Sequence, residues 1–134
     1  MQKQGEGGIL FFTPLGNVDG RTLWHHRTCP PVPMVSPRSS ICSWYTIEEG
    51  DSFIFMTSSL GNELFTKQNA KLLGSDVVAE STMNYFEIRQ AKDGVDATHI
   101  LVARSNGWTP NFAIRMMATA WGKILPNIEK FLLE

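Results

Sequence analysis

The chain has 134 residues, 43% of them hydrophobic and 19% charged, with a formal net charge of −1. Such a length builds one domain around one core, and the composition argues against disorder. With near-neutral charge and no Lys/Arg cluster there is no field to gather nucleic acid, and no run of about 18 apolar residues offers a membrane-spanning helix.

The first residues, Met1–Gly8, are polar and glycine-rich, unlike a secretory signal, and residues 1–7 are expected to be disordered. Gly8–Leu15 and Arg21–Arg27 are apolar runs joined by Gly16–Gly20, which predicts a β-hairpin. His25 and His26 are adjacent, so on a strand they point to opposite faces and cannot both ligate one metal. Cys29–Pro37 carries four prolines and must be an ordered loop or an edge. Cys29 and Cys42 are too few for a disulfide framework, so a reducing cytoplasm is the expected setting.

Ser39–Thr46 and Ser52–Ser58 flank Glu48–Asp51 and predict a second hairpin. Leu60–Ser75 is polar and reads as a loop, with a helix-compatible stretch at Lys67–Leu73. Asp76–Gln90 and Asp96–Ser105 flank Ala91–Gly94, a third hairpin. In its first strand Met83 and Tyr85 share one face with Glu87 and Arg89, while Phe86 and Ile88 share the other with Asn84. Both faces are mixed, as a partly polar cavity would require.

Asn106–Glu134 reads as a Gly–Trp turn followed by one long helix, with Thr109 as N-cap and Pro110 in its first turn. Ala113, Met117, Ala120, Trp121, Ile124, Ile128, Phe131 and Leu132 form one apolar stripe at i, i+3, i+4 spacing. Pro126 should kink this helix one turn earlier, near Gly122, where its ring meets the i−4 carbonyl. Hairpins joined by short turns, with a terminal helix lying on them, define an α+β domain with an antiparallel sheet of about six strands.

Three stretches resemble the steroidogenic acute regulatory protein-related lipid transfer (START) family. Met34-Val35-Ser36-Pro37-Arg38 is similar to its Ser-Pro-Arg-Asp segment, and Glu49–Ile54 through Ser58-Ser59 to a family hairpin. Thr98–Val102 through Gly107-Trp108-Thr109-Pro110 is similar to its passage into the C-terminal helix. Leu125–Phe131 resembles the helix end of ceramide- and phosphatidylcholine-transfer members. The resemblance implies a helix-grip fold, a curved sheet gripping the C-terminal helix around a cavity for one lipid.

It further implies non-enzymatic lipid binding and transfer, no cofactor, and transient contact with a membrane from the cytoplasm. Ceramide, phospholipid, sterol and fatty acid all stay open as ligands. The expected lipid-binding residues are Met56, Ser58, Met83, Tyr85, Thr98, His99, Phe112, Met116, Met117 and Trp121. Val32 and Met34 in the proline loop, with Trp108, are the expected gate and membrane-docking residues.

The chain departs from the family in two ways. Ser39 replaces the aspartate of the Ser-Pro-Arg-Asp segment and Trp44 stands where some sterol-binding members carry a strand arginine, so a buried charge pair does not carry over. The family's N-terminal elements have no counterpart before Gly8, which suggests a truncated product, or a homodimer or partner chain that completes the sheet. The alternative functions are a partner-completed interaction domain and a remnant of a grip-fold or metal-dependent phosphatase-like enzyme. Thr57–Leu60 lacks an acidic ligand where a phosphatase needs one, and Asp96 alone cannot hold two metals.

Overall fold

The computed structural model describes residues 9–133, so the expectation about residues 1–7 lies outside the described residues. Seven strands and four helices follow one another along the chain: β1 (Ile9–Val18), β2 (Arg21–Cys29), β3 (Arg38–Glu49), β4 (Ser52–Ser58), α1 (Glu63–Gln68), α2 (Ala70–Leu73), β5 (Val77–Val78), β6 (Glu80–Ala91), β7 (Gly94–Arg104), α3 (Asn111–Gly122) and α4 (Ile124–Leu133). The strands form one sheet in the order β1-β2-β3-β4-β6-β7, antiparallel throughout this path.

All three expected hairpins are present. The first is tighter than expected, because Asp19 (φ 50°) and Gly20 (φ 76°) form a two-residue turn with both residues left-handed. That geometry matches the twist of the flanking strands and lets β1 run on to Val18. Gly16, read as part of the turn, instead sits at a register shift inside the strand.

The seventh strand comes from a gap in pairing. β4 pairs only with Ser43–Glu49 of β3, which leaves the edge of Arg38 and Ser39 free on that side. β5 fills it in parallel, and the Ala79 N–H then donates to the Ser39 carbonyl before β6 begins. Two residues are too short a segment for hydrophobic periodicity to reveal.

Leu60–Ser75, read as a loop, carries α1 and α2, and these cover one face of the sheet. Leu23 and Ile41 pack there with Phe65 and Leu73, with Leu15 alongside, as the dry core. Asn62, fully buried, ties the segment down. Its Oδ1 accepts from Ser43 and Arg21, and its Nδ2 donates to the carbonyls of Ile41 and Ser58. A polar sequence thus holds a buried position through satisfied hydrogen bonds rather than apolar area.

The C-terminal stretch is two helices and not one. The chain leaves α3 at Lys123 (φ −90°, ψ −1°) and resumes at Ile124. Pro126 has no N–H to offer the Gly122 carbonyl, so the break falls where its ring requires it. Ala113 and Met117 are buried, Ala120, Trp121 and Ile124 half-buried, and Ile128 47% exposed, so the stripe covers the sheet only as far as the start of α4. Thr109 does not cap α3. Pro110 holds the N-cap position, and Thr109 Oγ1 accepts from Arg38 instead.

Among the described residues no helix is long and apolar enough to cross a membrane.

A cavity between the sheet and the C-terminal helices

Strand alternation fixes what each face of the sheet presents. On β2 and β3, Leu23, His25, Ile41 and Ser43 point to the α1–α2 side, so Trp24, His26, Ser40 and Cys42 point to the α3–α4 side. The register carries this assignment across β4, β6 and β7: Phe55 opposes Phe86, and Phe86 opposes His99.

Between that second face and the helices lies a cavity of about 370 Å³. Ile114, Met117, Trp121 and Ile124 line it from the helices. Phe12, His26, Asn84, His99, Leu101 and Ala103 are among those lining it from the sheet. Arg38, Ser40, Glu80 and Ser105 add polar groups to the wall. The volume lies at the lower end of the range for small-molecule sites, roughly 300–1,000 Å³.

Of the expected lipid-binding residues, His99, Met117 and Trp121 line this cavity. Met56, Ser58, Met83, Tyr85 and Thr98 do not. They occupy the opposite face, in register with Tyr45, Ser43, Val102, Ile100 and Glu87 respectively. Their neighbours there are polar: the Tyr85 hydroxyl donates to Glu87, which also accepts from Arg89 and Ser52, and the Ser58 hydroxyl donates to the Thr82 carbonyl. Phe112 (56% exposed) and Met116 (41%) lie on the outer side of α3, about a quarter-turn or more from Met117. His26 and Ile114 are wall residues that the sequence reading did not name as ligand contacts.

One guanidinium of the cavity wall joins two loops. Arg38, 5% exposed, donates from Nη2 to the Trp108 carbonyl at 2.8 Å, the Asn106 carbonyl at 3.1 Å and Thr109 Oγ1 at 2.6 Å. Its Nε reaches the Ser105 carbonyl at 3.4 Å, and Nη1 donates to the Ser36 carbonyl. The same side chain therefore ties the end of the proline loop to the β7–α3 turn. That turn needs its glycine: Gly107 has φ 58°, and a Cβ there would come within 3.1 Å of Val77. Met34 (77% exposed) and Trp108 (63%) project from these two loops. Val32, expected to be exposed beside Met34, is half-buried, while Val35 is buried.

The two adjacent histidines do part as expected. His26 faces the cavity and His25 the other side, where its Nε2 lies 3.0 Å from Ser39 Oγ. Ser39 donates to Asp76 at 2.6 Å, and Arg27 clamps the same carboxylate at 2.6 and 3.1 Å. The Arg27 hydrogen bond, chiefly, holds the Asp76 carboxyl below the usual carboxylate range. Since the serine proton goes to Asp76, His25 must donate to Ser39 through Nε2–H, so it is not poised as a base toward that hydroxyl. Among the described residues no group of three His, Cys, Asp or Glu side chains is placed to hold a metal.

A curved sheet with a C-terminal helical segment across one face and a cavity between them is the START-like helix-grip fold. Human STARD10, a START domain, superposes on 93% of this chain with a TM-score of 0.60 at 15% sequence identity. The chain spans about half of that structure, 54% of its length. No protein-family model and no curated sequence matches.

Proposed function

We propose that the chain binds one lipid molecule in this cavity, performs no chemistry on it, and exchanges it at a membrane surface in the cytoplasm. What carries the reading is the wall: Leu101, Ala103, Met117, Trp121 and Ile124 offer apolar surface from both layers, with a few polar groups among them. Each buried CH₂ of an acyl chain then contributes about 0.8 kcal/mol, while the polar groups select the head. The fold shared with STARD10 supports the same reading. The buried Ser39 hydroxyl, already donating to Asp76, supports binding over an enzyme centred on that serine.

The test is native mass spectrometry after incubation with a mixed lipid extract. A stoichiometric adduct is expected on the wild type and not on Ala103→Phe, which places a ring in the cavity from β7. A clean apo mass across lipid classes overturns the proposal.

Trp108 and Met34 are the proposed docking residues, since amphipathic and flexible apolar side chains partition into a headgroup layer. Trp108→Ala should lower sedimentation with phosphatidylcholine vesicles roughly five- to tenfold, with stability changed by less than about 1 kcal/mol. Unaltered sedimentation would remove Trp108 from the docking surface.

A further inference from the structure

Among the described residues, His26 is the one polar group of the cavity wall that combines burial with an unmet hydrogen bond. Its ring lies edge-on to Phe12, with centroids 4.7 Å apart and an interplanar angle of 82°. Its Nε2 is buried and has no hydrogen-bond partner among the described residues. Thr57 Oγ1 shares that condition but is not part of the wall. A buried ring nitrogen left unpaired is costly, and a ligand group that pairs with it removes that cost.

The other polar groups of the wall are largely engaged. Asn84 Oδ1 and His99 Nε2 meet at 2.9 Å, and Ser105 Oγ and Thr109 Oγ1 at 3.2 Å. Glu80 accepts from Thr82 at 3.2 Å. Arg38 directs its guanidinium at the carbonyls of Ser36, Ser105, Asn106 and Trp108 and at Thr109 Oγ1. The ionised groups of the wall are therefore an acid and an already committed cation.

We infer that the cavity takes a neutral, single-chain lipid bearing a hydroxyl group, and that His26 Nε2, once the ring turns it toward the cavity, is the atom that pairs with this hydroxyl. The inference rests on the lipid-binding reading above and names the ligand class within it. A hydroxyl both donates and accepts, so it satisfies either tautomer of the ring. Burial pushes the His26 imidazole down to about 4, so at neutral pH it brings no charge for a phosphate or carboxylate to meet. An anionic head would instead face the Glu80 carboxylate and find the Arg38 donors occupied by protein oxygens. A volume of about 370 Å³ suits one chain rather than a pair.

Chain-matched probes separate head from tail. Equilibrium dialysis would use tritiated dodecanol, with unlabelled dodecane, dodecanoate and dodecyl phosphate as competitors. Dodecanol should bind, and each competitor should displace it at least about tenfold less effectively than unlabelled dodecanol does. His26→Phe keeps a ring against Phe12 and should reduce dodecanol to the affinity of dodecane while leaving dodecane unchanged. In wild-type protein with nitrogen-labelled histidine, the His26 Nε2 resonance should shift on adding dodecanol and stay put with dodecane, a readout independent of whether the variant folds.

A wild-type preference for dodecanoate or dodecyl phosphate overturns the inference, as does an unmoved Nε2 resonance with dodecanol bound. Equal binding of alcohol and alkane sinks the His26 assignment and leaves the lipid-binding reading standing. Binding of none of these compounds, together with a clean apo mass from the lipid extract, overturns both.

Discussion

Arg38→Met is expected to destabilise the fold by about 4 kcal/mol and to loosen both loops that its guanidinium joins. The guanidinium is buried, and no carboxylate among the described residues pairs with it. Its partners are the carbonyls of Ser36, Ser105, Asn106 and Trp108, together with Thr109 Oγ1. Methionine fills a similar volume and removes every donor at once, so acceptors on two loops lose the hydrogen bonds that tie them together. Burial pushes the Arg38 pKa below its ordinary value, as withdrawal of a charge from water does. Arg38→Lys should recover only part of the loss, because an ammonium cannot span acceptors on two loops as a planar fork does. Urea denaturation measures the stability, and amide exchange at residues 105–109 reports the loosening. A variant within about 1 kcal/mol of wild type, with unchanged exchange there, would make this cluster incidental.

The hairpins and the helical break were legible because they depend on local chemistry. Gly20, Gly50 and Gly94 all have positive φ at the turns that join paired strands, and turn residues are the strongest short-range punctuation a sequence carries. Pro126 announced the interruption before α4 for an equally local reason. Of the α1–α2 segment only Lys67–Leu73, which spans the end of α1 and all of α2, read as helix-compatible; its role as cover for the core was illegible for the opposite reason. Its buried anchor, Asn62, is a polar residue whose partners Arg21, Ile41 and Ser43 lie far away in sequence. The same holds for Arg38: its motif was visible, but its bonds to residues 105–109 exist only once β7 and α3 are in place.

The lining of the candidate site was half legible. Alternation along β6 divided Met83 and Tyr85 from Asn84 and Phe86 correctly, since that follows from the strand period alone. It could not say which set faces the helices. That choice is made on β2 and β3, where the apolar Leu23 and Ile41 go under α1–α2 and leave His26 and Ser40 to the cavity. Flexible methionines drew attention to Met56 and Met83, yet both belong to the face where Tyr85, Glu87 and Arg89 make a polar network. Helical periodicity found Met117 and Trp121 because a single stripe faces inward; Phe112 and Met116 sit beside that stripe and remain exposed. Sequence alone offers His26 only as a metal ligand beside His25. The two rings face opposite sides, and that separation is what gives His26 a place in the cavity wall.

Acid is expected to weaken the fold in a window set mainly by His26. Burial is the larger cause of its depressed pKa, and the neighbouring His25 adds to it, together lowering it from 6.5 to about 4. The folded chain therefore keeps this ring neutral where the unfolded chain protonates it. Between those two values the unfolded state binds more protons, so stability rises with pH and is lost as pH falls from about 6.5 toward about 4. A shift of that size corresponds to about 3 kcal/mol across the window. His25 and His99 are also lowered, chiefly by burial, and act in the same direction. The lowered Asp76 works the same way but begins below its unfolded value of 3.8, beyond the His26 window. Urea titrations at about pH 7, about pH 6 and about pH 5 should give progressively lower midpoints. His26→Phe should flatten most of that dependence, because no proton can then be taken up at this position. If the variant keeps the full slope of the wild type, the acid sensitivity belongs to other groups and His26 is not held neutral by the wall.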